Sequence, residues 1–462
     1  MKQKITLFVL LFISTLGFSQ VTTFTGSGNW ENPGNWDFGV PTASHLVIIN
    51  GNCIITDPGA VANTITFGVG FSLVIEPTAT LTVTNSINQT AAVTIRMESN
   101  ATNSASVIVG SDSETVQLTY QRYLSGGVWH LISSPLSSNG ATVADFITAH
   151  GAAMTQSGVK YSLGTYDNAF AADGSSTWKN YTTDGSNPPP ATAFTPAKGY
   201  EVLMNANGTV DFIGNINTAT TNFTLTENVT GWNLIGNPYP SSVYANTNAH
   251  ATDNFLTVNT SQLDPSFVSV YVWNPTNGSY TVYNQASGST SLAPGQAFFV
   301  KSKSGGGTAS FTTVMRNHQS ANNFQKATSG STPTVNLTLD NNSGTVRSTE
   351  IKYMSSATLG LDAGYDAGQF GGVGTNTFNL YTQLVQDNGV KFALQVVPDT
   401  DYDTTVIPIG VTAKSGTQLT FKATATSLPT GVKVFLEDKL LSKVTEINQT
   451  DKTYSVSINS DL

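Results

Sequence analysis

Residues 46–83 read LVIINGNCIITDPGAVANTITFGVGFSLVIEPTATLTV. Apolar runs of three or four residues, Leu46–Ile49, Cys53–Ile55, Ile65–Phe67, Leu73–Ile75 and Leu81–Val83, alternate with Gly, Pro, Asn and Asp. The runs are rich in Val, Ile and Thr and too short for helices, which makes them strands. Ile65, Leu73 and Leu81 recur every eight residues. Short strands at even spacing, each unable to bury a face alone, suit a stacked β-solenoid. A small β-sandwich is the competing reading. The same chemistry continues through Val93–Ile95 and Val107–Val109, so the solenoid-like segment is expected over residues 21–117.

Upstream, the Asn-Trp pair occurs twice, at Asn29-Trp30 and Asn35-Trp36. Trp30 and Trp36 are expected to cap the open end of the solenoid, where backbone would otherwise lack partners. The functional alternative makes them stacking platforms for sugars. Before them, Lys2 and Lys4 precede an apolar run from Ile5 to Leu16, followed by Gly17-Phe18-Ser19. This is the pattern of a secretory signal peptide over residues 1–20, and it is too short for a spanning helix.

Downstream lies an internal duplication. Trp129-His130-Leu131-Ile132-Ser133-Ser134-Pro135 matches Trp232-Asn233-Leu234-Ile235-Gly236-Asn237-Pro238, an offset of 232 − 129 = 103. Pro196-Ala197-Lys198-Gly199-Tyr200-Glu201-Val202 matches Pro294-Gly295-Gln296-Ala297-Phe298-Phe299-Val300, an offset of 294 − 196 = 98. Two tandem β modules follow, over 118–220 and 221–320. Trp129 and Trp232 each start an apolar strand that stops at a proline, so both are expected to anchor cores. Between the anchors, Trp178, Tyr181, Trp273 and Tyr280 lie among Asn, Thr and Ser in segments that differ between the copies. Loops on a rigid scaffold are where recognition usually lives, and these four are the candidate ligand-binding residues.

A polar stretch over 321–333 reads as a linker. Beyond it, Val335, Leu337 and Leu339 alternate with polar residues, as do Leu419, Phe421 and Ala423. That period predicts an antiparallel β-sandwich over 334–462. The fold class expected is all-β.

Only 11% of the chain is charged, under half the roughly 25% usual for soluble proteins. Without the leader, 20 − 2 = 18 basic residues face 29 acidic ones, a net charge of −11. Nucleic acid is excluded as a partner, since that needs clustered Lys and Arg. No later stretch is apolar for long enough to span a bilayer. Cys53 is the only cysteine; no internal disulfide can form, and a buried small side chain is expected there.

No zinc-protease, nucleophile-elbow, phosphate-loop or paired-cysteine motif occurs. The five histidines, at 45, 130, 150, 250 and 318, show no metal-ligand spacing. Asp399, Asp401 and Asp403 begin like a calcium loop, but Thr404 and Gly410 stand where that loop needs Gly and Glu. No catalytic or metal-ligating residue and no cofactor is therefore assigned. A low-coordination structural calcium at those aspartates, or at Asp362 and Asp366, is the weaker reading.

The stretch over 391–458, with Phe435-Leu436-Glu437-Asp438 its most specific piece and Gly364-Tyr365-Asp366-Ala367 upstream, resembles the module before the C-terminal sorting domain of type IX secretion cargo proteins. GWNLIGNPYP at 231–240 and NWENPGNWDFGVPT at 29–42 are similar to such proteins too. The resemblance implies a large secreted or cell-surface protein of a Gram-negative bacterium. It also implies a sorting domain past the sandwich, which the sequence to Leu462 does not contain: either the chain is a fragment or the export signal is lost or removed. The function expected is a non-catalytic adhesin or stalk with carbohydrate-binding loops, its partners extracellular glycans or cell-surface components. The alternative is an accessory region of a polysaccharide-degrading enzyme, a glycoside hydrolase or lyase.

Overall fold

The computed structural model describes residues 20–462 except 90–92, 112–115, 138–139, 170–176, 320–331, 374–376, 401, 403 and 450. The signal-peptide segment 1–19, most of the 321–333 linker, and Asp401 and Asp403 lie outside the described residues. The molecule is all-β, with a solenoid-like N-terminal region and several sheets.

The N-terminal strands stack in parallel, coil upon coil. Cys53 lies beside Leu73, Leu73 beside Ile95, and Ile95 beside Leu118. Ile55, Ile75, Met97 and Tyr120 form the next column. All eight side chains are buried. A second parallel stack runs from Ala60–Ala62 through Thr80–Val83 to Ser106–Val109. One coil therefore takes about 22 residues, as in 95 − 73 = 22. Of the eight-residue steps seen in the sequence, Ile65 to Leu73 runs along the Leu46–Ile55 strand in the same sheet, and Leu73 to Leu81 crosses to the second stack. Cys53 packs as one rung of a hydrophobic column, and burial pushes its thiol far above the ordinary range.

The open end is closed as its sequence suggests. Trp30 and Trp36 are both buried, with ring centroids 4.8 Å apart in an edge-to-face arrangement. Trp36 Nε1 donates to the Trp30 carbonyl at 2.7 Å. At the other end, the Gln117–Leu124 strand continues the parallel sheet on one side. On its other side it pairs antiparallel with Gly208–Asn215 from the first duplicated module. The solenoid and that module thus share one sheet and one continuous core.

The two modules meet about an internal two-fold relation that the sequence offsets make visible. Ile132 bridges Gln296, and Lys198 bridges Ile235. Under the offsets of 103 and 98, Ile132 corresponds to Ile235 and Lys198 to Gln296, so each bridge is the other's counterpart. Corresponding residues also face one another across the seam. A Cβ on Gly236 would lie 2.3 Å from the Cβ of Ser133, and one on Gly199 would lie 2.9 Å from that of Ala297. Glycine is required on one side of each pair because the backbones approach so closely. Gly199→Ala would also meet Leu234 Cγ at 2.5 Å. We expect it to cost about 1–3 kcal/mol by overpacking, read as a lower urea midpoint; an unchanged midpoint would mean that the seam is not tightly closed.

The C-terminal region is an eight-stranded sheet with a separate hairpin, Phe435–Asp438 with Lys443–Glu446. Val335, Leu337 and Leu339 point inward onto Leu419, Phe421, Ala423 and Leu436. One pairing departs from the antiparallel expectation: Glu350–Tyr353 runs parallel to Leu394–Val397. A segment of this region, carrying Gly368, Phe370 and Gly372, lies over the duplicated modules. Tyr271 Oη donates to the Gly368 carbonyl at 2.7 Å, and Tyr166 Oη donates to that of Gly372 at 2.6 Å.

Candidate functional site

Each module carries a cross-strand aromatic pair at the same structural position. In the first, Tyr166 lies opposite Trp178; in the second, Trp273 lies opposite Tyr280. Their ring centroids are 5.4 and 5.0 Å apart, both near edge-to-face, the geometry aromatic rings prefer. The equivalence is fixed by register. Gly164 pairs with Asn180 and Glu201, as Tyr271 pairs with Val282 and Phe299. Trp178 therefore corresponds to Tyr280, and Trp273 to Tyr166. Glu201 corresponds to Phe299.

Trp178 of the first pair and both rings of the second open onto one groove of about 810 Å³ between the two modules and the C-terminal sheet, within the usual size of a ligand cleft. Trp129, Trp178, Trp273 and Tyr280 supply its apolar walls, and Asn180 and Glu201 lie between them. Asn336, Arg347 and Gln369 line the opposite wall from the C-terminal region. Trp273 Nε1 donates to the Trp129 carbonyl at 2.8 Å, which fixes the indole of one module against the backbone of the other. Phe370, which also lines the groove, lies 4.0 Å from Tyr280, centroid to centroid.

Of the four residues expected to bind a ligand, the structure brings Trp178, Trp273 and Tyr280 together. It does not bring Tyr181 to them. The strand alternates, so Trp178 and Asn180 take the groove face while Tyr181 turns into the core shared with the solenoid, 7% exposed. Trp129 corrects another expectation. It is 37% exposed and lines the groove, whereas its counterpart Trp232 is 3% exposed. The difference comes partly from within the modules, where Gly164 stands at the position of Tyr271, and partly from the C-terminal region. Phe370 packs 4.7 Å from Trp232, with Phe267 and Tyr271 alongside. No such ring covers Trp129 among the described residues.

Glu201 was not singled out by the sequence reading, although the aligned repeat contained the signal: a carboxylate in one copy stands where the other has Phe299. Glu201 is 7% exposed, and Asn180 Nδ2 donates to its Oε1 at 3.1 Å. No ion pair among the described residues includes it. Burial pushes its carboxyl up to about 8, with the Asn180 hydrogen bond acting weakly the other way.

Two other arrangements resemble reactive sites and are not. Ser125 Oγ lies 3.1 Å from His130 Nε2, beside a cavity of about 450 Å³ on the other side of Trp273. The same nitrogen lies 2.9 Å from the Ser125 carbonyl, which can only accept. Nε2 therefore carries the proton and is no base for Ser125. Burial also pushes His130 down to about 4. Asp366, fully buried, spends its two oxygens on the backbone N–H groups of Asp362 and Val396, each at 2.7 Å. It braces a loop against a strand. Among the described residues no group of three or more His, Cys, Asp or Glu is placed to hold a metal ion.

The fold and groove define a multi-sheet β protein with an aromatic cleft at an internal repeat. The chain belongs to a family described as a domain of unknown function (DUF8693), whose model matches residues 23–460. No curated protein and no solved structure gives a match. Among the described residues, no helix is long and apolar enough to cross a membrane.

Proposed function

We propose that this protein is a non-catalytic secreted or cell-surface protein, an adhesin or stalk, that binds carbohydrate in the groove between its duplicated modules. One observation carries the reading: three of the four candidate ligand-binding residues, joined by Trp129, line a single cleft that also holds Asn180 and Glu201. Indole and phenol faces pack on the apolar faces of sugar rings, and the amides and carboxyl serve the hydroxyls. The same lining supports binding over hydrolysis in this reading. Glycoside hydrolysis needs two carboxyl groups about 5–9.5 Å apart, and Glu201 is the only carboxylate lining the groove among the described residues. The leader sequence and the resemblance to type IX cargo support export to the outer surface.

The test is isothermal titration of residues 21–462 against oligosaccharides of plant, algal and bacterial polysaccharides, with product analysis. We expect binding to at least one class and no product release. Trp129→Ala, at an exposed position, weakens binding about tenfold or more, equivalent to about 1.4 kcal/mol, with the melting temperature unchanged. Absence of binding across the panel, or undiminished binding by Trp129→Ala, would remove the groove as the site.

A further inference from the structure

We propose that Glu201 is the specificity-determining group of the groove, a carboxyl that meets the hydroxyls of an uncharged glycan as both hydrogen-bond donor and acceptor. The inference rests on the carbohydrate reading and deepens it.

The duplication provides the internal comparison. At the corresponding position the second module places Phe299, fully buried, with ring centroids 4.7 Å from Tyr166 and 5.8 Å from Tyr280. The scaffold therefore accommodates an apolar ring at this register. A carboxyl there is nine-tenths buried with no ion pair among the described residues, an arrangement that costs stability. Its surroundings explain the substitution as part of a ligand cleft: Trp178 and Asn180 lie on the neighbouring strand and open onto the same groove.

The groups facing Glu201 leave it uncharged near neutral pH. Arg347, across the groove, has its guanidinium turned to the carbonyls of Phe378 and Val346, each at 3.3 Å. The Tyr280 phenol is pushed up by burial and by Glu201 itself. On the adjoining strand, His130 is neutral and lines the neighbouring cavity. Lys179 alternates to the face opposite Trp178 and Asn180. Opposite Glu201 on the remaining strand is Gly164, which has no side chain. With burial holding the carboxyl near 8, the protonated form dominates at pH 7 and offers an O–H as well as a C=O. This matches a neutral diol. Above that pH the donor is lost.

The experiment is titration of neutral hexasaccharides (cellohexaose, laminarihexaose, mannohexaose) and of a uronate hexamer against wild type, Glu201→Gln and Glu201→Ala, from pH 5 to 9.5. Wild type should bind a neutral hexamer evenly from pH 5 to 7 and lose about tenfold by pH 9.5. Glu201→Gln, which keeps a donor and an acceptor in the same shape, should bind within about threefold of wild type at pH 7 and lose the pH dependence. Glu201→Ala should bind at least tenfold more weakly throughout, with circular dichroism confirming its fold. A flat wild-type profile, undiminished binding by Glu201→Ala, or preference for the uronate hexamer overturns the role given to Glu201 and leaves the carbohydrate reading intact. Absence of binding to any glycan overturns both.

Discussion

Trp232→Ala lowers the stability of the protein by about 3–5 kcal/mol, whereas Trp129→Ala, the matching change in the first module, lowers it by under about 1 kcal/mol. Both tryptophans begin the same strand of the same repeat. Their contacts decide the difference. The Trp232 indole lies among Phe267, Tyr271, Phe299 and Phe370, and a Cβ on Gly372 would come within 3.0 Å of it. Removing it leaves a cavity bounded by rigid rings, which cannot collapse to fill it. Trp129 already faces the groove, so its loss exposes little that was dry. Urea unfolding of the two variants checks this. Equal losses would mean that the C-terminal segment does not cover the second module as described.

His318→Gln becomes progressively more stable relative to wild type as the pH falls from 7 to 4, by about 2–3 kcal/mol over the interval. His318 sits between two units of the fold. Its Nδ1 lies 2.8 Å from Ser106 Oγ and its Nε2 lies 2.8 Å from Thr82 Oγ1. Both hydroxyls belong to the solenoid, while the histidine lies at the end of the second module, next to the Arg316–Asn317 strand that pairs with Ser242 and Val243. Burial, aided by Arg316, pushes the imidazole down to about 4. The unfolded chain protonates near 6.5 and so binds more protons between those values. The native state loses stability there as pH falls, and glutamine removes that loss. Wild type alone would hide the effect. Asp366 and Glu201 are pushed up to about 7 and about 8 by burial, so each favours the folded state as pH falls, offsetting His318 and His130. Paired denaturation curves at pH 7, 5.5 and 4 separate the terms. A variant-to-wild-type difference independent of pH would show that His318 is not held neutral.

Much of this architecture is legible in the sequence because its signals are local. Runs such as Leu73–Ile75 and Leu81–Val83 encode their strands by composition and alternation. The repeated Trp-x-Leu-Ile motif reveals two modules without any knowledge of how they pack. What stays hidden depends on partners distant in the chain. Trp129 and Trp232 look alike within their own strands; what buries Trp232 is Tyr271 and Phe267 of its own module together with Phe370, 370 − 232 = 138 residues further on. Pairing Trp178 with Trp273 is natural by residue type, but strand register makes Tyr280 the true counterpart of Trp178. Tyr181 shares its loop chemistry with Trp178, and only the direction of alternation on that strand sends it inward. Glu201 was readable in principle. In an aligned repeat, a carboxylate opposite a phenylalanine marks a place where the two copies serve different ends.

The seam between the modules has a consequence that a pair of separate subunits could not match. Had the halves been identical chains joined by symmetry, dilution would part them, and any residue altered on one side would be altered on both. Covalent continuity removes both constraints. The cleft persists at any concentration, and one half was free to keep a phenylalanine as ballast while its twin took on an acid.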